Sequence, residues 1–178
     1  MAKAMQTIST LETYRAMLID TQTGKVLLNE VAYRIISDQA PEELPIYVET
    51  RDKYLSDPDS FTQSSRSKDE VLGIGEVVVV TTFTKVVFPI ISPILQFLLE
   101  KFTEAFQAEL GEEAVSWVKK LFDPQPVPQP IFTQSELEVI AFTIQDIAAK
   151  EAKRLGLEEH QARTVSDAVI ARLALAKK

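Results

Sequence analysis

The chain carries a single histidine, His160, and no cysteine, so any chemistry falls to carboxylates, cations and hydroxyls. No acid, serine or second ligand is spaced to work with His160. It reads as a solvated residue in the first turn of the last helix, not as a base or metal ligand. The acidic pairs Glu42/Glu43, Glu112/Glu113 and Glu158/Glu159 have the residue type for paired-carboxylate catalysis. Each falls at or near a helix start, where negative charge complements the macrodipole. Gly73-Ile74-Gly75 precedes an apolar run, as a dinucleotide fingerprint does, but the third glycine and the preceding strand are missing. Glu76 also stands where a phosphate would go. The run QPVPQP has PxxP spacing, and a plain spacer accounts for it better. These residues give no catalytic site, no metal site and no cofactor to expect.

The residues that do stand out are apolar. From Val77 to Leu99 the chain reads VVVVTTFTKVVFPIISPILQFLL, with Lys85 as its one charge. Its hydropathy reaches about 2 per residue over a 19-residue window, in the range of transmembrane helices. Val77, Val80, Lys85, Phe88, Ile91, Leu95 and Leu98 mark this segment, either as a membrane span or as a buried core element. On a helix Glu76 and Lys85 lie about 180° apart and cannot pair within one copy. In lipid each would need a partner from another helix or a wet lumen; in a soluble core Lys85 would snorkel at the edge. Lys85, Pro89 and Pro93 all weigh against simple insertion, and the flanking charges Arg66, Lys68, Asp69 and Glu70 set no orientation.

Composition sets the outer bounds. With 178 residues, 46% hydrophobic and 25% charged, the chain suits one ordinary domain with a small appendage. A net charge of −7 disfavours nucleic acid, whose phosphates need a basic face, and disfavours adhesion to anionic headgroups. The absence of cysteine suits a reducing cytosol. The opening MAKAMQTISTLETYR has no apolar core followed by a small-residue cleavage site, so no secretory signal is expected.

The elements that would carry these residues are mainly helical. Ser9 and Glu12 have capping-box spacing. TYRAMLI, DTQTGK and VLLNEV read as a short β-hairpin around a glycine turn, leading into a helix over Val26–Ser37; two helices are the rival reading. Pro41 and Pro45 precede a helix over Ile46–Leu55, and the serine-rich Ser56–Ser67 reads as a surface loop. Val71–Phe88 divides between buried strand, on valine propensity, and helix, on length. From Pro93 the spacing of Leu95, Leu98, Phe102, Phe106 and Leu110 predicts an amphipathic helix stopped by Gly111, followed by a second over EEAVSWVKKLF. Four prolines in Asp123–Pro130 predict a stiff linker of about 25 Å. Beyond it Thr133 and Glu136 cap a helix from Gln134 to Leu155, striped by Leu137, Ile140, Ile144 and Ile147. Gly156 ends that helix, and another runs from Glu158 to about Ala176.

The final helix carries two apolar stripes, Ala162, Val165, Val169, Leu173 and Ala176 on one side and Ile170, Ala171, Ala174 and Leu175 on the other. A two-helix hairpin cannot bury both. Val165, Val169, Ile170, Leu173 and Ala174 are therefore the expected self-association or docking residues.

The order DKYLSDPDSF, a polar stretch, LGIGE and then a long apolar run resembles small effector-associated accessory components of bacterial conflict (defence) systems, over Arg51–Leu99. That resemblance implies a non-enzymatic adaptor or membrane-linked accessory and carries over no catalytic residue. The expected fold is mainly α, with a helical body over 1–122 that includes the apolar segment 71–110, a proline-rich linker over 123–130 and a helical hairpin over 131–178. The expected function is an interaction or assembly module, cytoplasmic and homo-oligomeric with protein partners and no nucleic acid. The alternative is a membrane-inserting or pore-forming subunit built on 77–99.

Overall fold

Thr21 ends one helix and starts the next. Its hydroxyl donates to the Met17 carbonyl at 2.5 Å and accepts from the Gly24 amide at 3.0 Å. A first helix, α1 (12–20), thus turns directly into α2 (Gln22–Gln39). The expected N-terminal hairpin is corrected here: both runs are helical. No strand occurs among the described residues, which are 12–64, 82–106, 112–123 and 132–175 of this computed structural model. Tyr14 and Leu18 on α1, with Leu28, Val31, Ala32 and Ile35 on α2, are buried at the three- and four-residue steps that make one helical face. Gly24, a turn glycine by its sequence context, is buried inside α2. A Cβ on it would lie 2.0 Å from the Met17 carbonyl oxygen and 2.5 Å from Leu18 Cα, so the α1–α2 elbow needs bare backbone at this point.

A 3₁₀ turn, Pro41–Glu43, leads into α3 (Leu44–Ser56), which covers the expected Ile46–Leu55. The stretch expected as a surface loop holds a short helix, α4 (Pro58–Ser64). Pro58 presets φ at the first helical position, and the Asp57 carboxylate accepts from the Ser60 amide at 2.9 Å, a proline start with an acidic cap. Its polar face hid it from periodicity; Phe61 anchors it edge-on to Tyr54 with centroids 5.4 Å apart, and Asp59 accepts from Arg15 of α1 at 2.7 Å.

At the centre lies α5 (Phe83–Phe106), continuous through Pro89 and Pro93. Each proline removes one amide donor, which takes the i+4 partner from the carbonyls of Lys85 and Pro89. Val86, Phe88, Ile90, Ile91, Ile94 and Leu95 are all fully buried, because α2, α3, α6 (Glu112–Phe122), α7 (Gln134–Leu155) and α8 (Glu159–Leu175) surround α5. From Phe83 to Leu95 Lys85 alone is exposed, so this half of α5 has almost no polar face to display, whereas Glu104 and Ala105 near its end are exposed.

The C-terminal pair forms as its caps dictate. The Thr133 hydroxyl accepts from the Glu136 amide at 3.3 Å, and the Glu136 carboxylate accepts from the Thr133 amide at 2.7 Å. Gly156 closes α7 in the left-handed region at φ 66°, the conformation that favours glycine. Ile140, Ile144 and Ala148 of α7 and Val165 and Val169 of α8 belong to one hydrophobic cluster with α1, α2, α3, α5 and α6. Arg172 on α8 reaches Asp38 on α2 at 3.1 Å. Val71–Val80, Gly111 and most of the proline run lie outside the described residues.

Candidate functional site

The polar residues are employed in holding elements together. His160 is exposed beside Glu158 at 3.3 Å, and no group of three metal-ligating side chains occurs among the described residues. Glu43 does not serve its own helix but reaches the first turn of α5. Glu113 is exposed at the start of α6, and Glu158 and Glu159 are exposed at the start of α8. A cleft of about 350 Å³ between α2 and α6 holds two cations. Lys119 is ion-paired with Glu30 at 3.0 Å, whereas Arg34 Nε donates to the neutral Phe122 carbonyl at 3.2 Å, a bond that ties α2 to the end of α6 without offsetting the guanidinium charge.

One buried polar knot links α2 to α3. The Tyr47 hydroxyl donates to both the backbone carbonyl and Oδ1 of Asn29, each at 2.8 Å. Burial pushes its phenol far above the ordinary tyrosine range, and the nearby Arg51 guanidinium opposes that only in part. Tyr47 and Tyr54 stack on opposite reaches of Phe88, at 5.8 and 5.3 Å between centroids. These rings lock the apolar helix to α3 through offset stacking.

The apolar segment is interior wherever it is described. Phe88, Ile91, Leu95 and Leu98 are completely covered, whereas Lys85 is exposed. Lys53, hydrogen-bonded to Glu49 at 2.5 Å, holds that carboxyl below its ordinary range, and the Lys85 charge adds a smaller effect in the same direction. Val77 and Val80 lie outside the described residues.

On the final helix, Val165, Val169 and Leu173 are buried against the chain's own helices. Ile170 is half-buried against the same core, and of these five residues only Ala174 is exposed. The helices packed against α8 are α7 first, then α5, α6 and α2.

Among the described residues large apolar side chains are exposed on α2 (Val26, Tyr33), on α3 (Ile46, Val48) and, most fully, on α7. Val139 is 66% and Phe142 73% exposed, the two most exposed large apolar side chains described. At 100° per residue, Ser135, Glu138, Phe142, Asp146, Ala149 and Lys153 fall within a wedge of about 80°, forming an outward ridge. On one flank a groove of about 530 Å³ runs between α5 and α7, lined by Phe97, Ala105, Phe132, Val139 and Ile140. On the other a smaller cleft of about 170 Å³ between α7 and α8 is lined by Gln145, Ala148, Ala149, Arg163 and Ser166. Reading α7 by its buried stripe alone passed over Val139 and Phe142; their signal was being large, apolar and off the Ile140–Ile144 face. No family model, curated protein or solved structure matches the chain.

Proposed function

We propose that this chain is a non-enzymatic assembly module that self-associates or docks a protein partner through an apolar helix face. The observation that carries the reading is the pair Val139 and Phe142, exposed at i and i+3 on a helix capped at both ends and backed by the core. Single exposed apolar residues are ordinary, but two adjacent ones beside an apolar groove mark contact surfaces. The position of the polar groups supports the same reading, since Lys119 of the α2–α6 cleft and the carboxylate of Glu43 are engaged within the fold. Sedimentation of the full chain across a wide concentration range, and then of Phe142→Ser, tests it. Concentration-dependent association weakened by the substitution is the expected result. A chain that stays monomeric at every concentration sinks the self-associating form.

A second reading rests on α5. Its 24 residues span about 36 Å at 1.5 Å per residue, enough for a hydrocarbon core of about 30 Å. Against it, 72% of its most apolar window is buried inside the protein, so insertion would first require stripping α2, α3, α6, α7 and α8 away. Flotation with vesicles of phosphatidylcholine and phosphatidylglycerol separates the two: the assembly reading expects the protein to stay at the bottom, and the inserting reading expects it to rise.

A further inference from the structure

The outward ridge of α7 changes sign along its length. Its N-terminal half presents Glu138, which receives a hydrogen bond from the Gln134 amide at 2.9 Å and has no cation paired with it among the described residues. Its C-terminal half presents Lys153, exposed and likewise without an ion pair among the described residues. Between them stand one large projection, Phe142, and one small residue, Ala149. A surface with acid at one end, base at the other, a knob and a notch is complementary to itself only when reversed.

We propose that α7 pairs antiparallel with α7 of a second copy, about a twofold axis beside Gln145 and Asp146. Phe142 and Ala149 are equidistant from that axis, so each ring meets the small side chain of the other copy. Glu138 and Lys153 are also equidistant from it, and their charges face in both halves. This is the isologous arrangement, in which the same patch serves both partners. The notch adjoins an open cleft of about 170 Å³ between α7 and α8, lined by Ala148 and Ala149 together with the polar Gln145, Glu159, Arg163 and Ser166, so the ring would meet the two alanines at its face and polar groups at its rim. Val139, next to Glu138 in the chain, underlies the aliphatic stem of the facing lysine. The least favourable contact is Asp146 near the axis, where it approaches its own counterpart, and Lys150 at 2.6 Å within the same copy neutralises it. A parallel pairing would instead set acid on acid and base on base.

The proposal rests on the self-associating form of the function above, and its test separates the two. Sedimentation of the full chain is compared for wild type, Phe142→Ser, Glu138→Lys, Lys153→Glu and an equimolar mixture of the two charge variants. All three positions are exposed, and circular dichroism checks that the variants are folded. Phe142→Ser should weaken the dimer by on the order of a hundredfold. Each charge variant alone should weaken it by about tenfold, because two attractions become repulsions. The mixture should restore near wild-type affinity, since both facing pairs of the mixed dimer again join opposite charges. A dimer indifferent to all of these overturns this interface while leaving self-association standing. Weakening by each charge variant without rescue in the mixture rules out the antiparallel register. A monomer throughout removes both proposals.

Discussion

Glu43 and Thr84, 41 residues apart in sequence, meet in a double contact: the Glu43 carboxylate accepts from the Thr84 amide and the Thr84 hydroxyl, each at 2.6 Å. The Phe83 amide donates to its other oxygen at 2.9 Å. A helix start leaves amides unpaired, and an anion is favoured there by the macrodipole. Here the cap comes from a different element, so it also fixes the 3₁₀ turn against the entry to α5. Thr84 is fully buried, and water cannot simply take the carboxylate's place.

Glu43→Ala should therefore destabilise the fold by about 1–3 kcal/mol, the cost of leaving buried donors unsatisfied. Glu43→Gln, which keeps one acceptor oxygen, should lose about half as much. Urea unfolding should move in midpoint with the slope unchanged. Equal stability of Glu43→Ala and the wild type would mean that the contact contributes nothing net.

Gly24→Ala separates helix propensity from packing. In a free helix the change would stabilise by about 1 kcal/mol. In this fold the new Cβ would lie 2.0 Å from the Met17 carbonyl oxygen, and backbone cannot yield as a side-chain tip can. The expected sign is destabilising, by about 1–3 kcal/mol or more, with loss of amide-exchange protection concentrated in 12–20. A variant as stable as the wild type would show that α1 can shift away at no cost.

The features legible in the sequence were local ones. Thr133, Glu136 and Gly156 announce the ends of α7 because a cap is a relation between residues three or four apart. The buried Ile140 and Ile144 follow from the same short-range periodicity. The helix over Val26–Ser37 was legible, but a hairpin was preferred to two helices before it because Gly24 looks like a turn residue, and only the approach of Met17 and Leu18 reveals it as a contact point. Val71–Phe88 left strand and helix open; its described end, Phe83–Phe88, is helical and buried apart from Lys85, and a stretch buried nearly all round shows no period, while 71–81 lie outside the described residues. Phe142 could be placed off the buried stripe from its spacing alone. That no other helix covers it is a property of the packing and has no signature along the chain.

Tyrosine ionisation gives a pH dependence. Burial raises the phenols of both Tyr47 and Tyr54 above the ordinary value, with the Ser92 hydroxyl opposing in part at Tyr54. A group that holds its proton more tightly folded than unfolded contributes its full stability below its unfolded value of about 10. That contribution is lost as pH rises beyond it. Thermal stability should thus fall as pH rises above about 10, and Tyr54→Phe, which removes the acid but keeps the ring on Phe88, should fall less over the same range. Parallel curves for the two proteins would count against a role for Tyr54 in the alkaline limb.

Leu173→Ala probes whether α8 belongs to the body. Leu173 is 3% exposed and shares the core with Val165 and Val169, and Arg172 beside it binds Asp38 on α2. Truncating a packed leucine removes both its transfer free energy and its neighbours' contacts, at a cost of about 2–5 kcal/mol. If the site is intramolecular, that cost appears in the unfolding of the monomer and is independent of protein concentration. If the residue instead packed against another copy, the loss would grow with concentration, because the wild type gains stability from association by mass action. Unfolding midpoints of both proteins at two concentrations well apart decide between these. The expected result is one fixed difference at both concentrations, and a difference that widens with concentration would return α8 to the role of a docking helix.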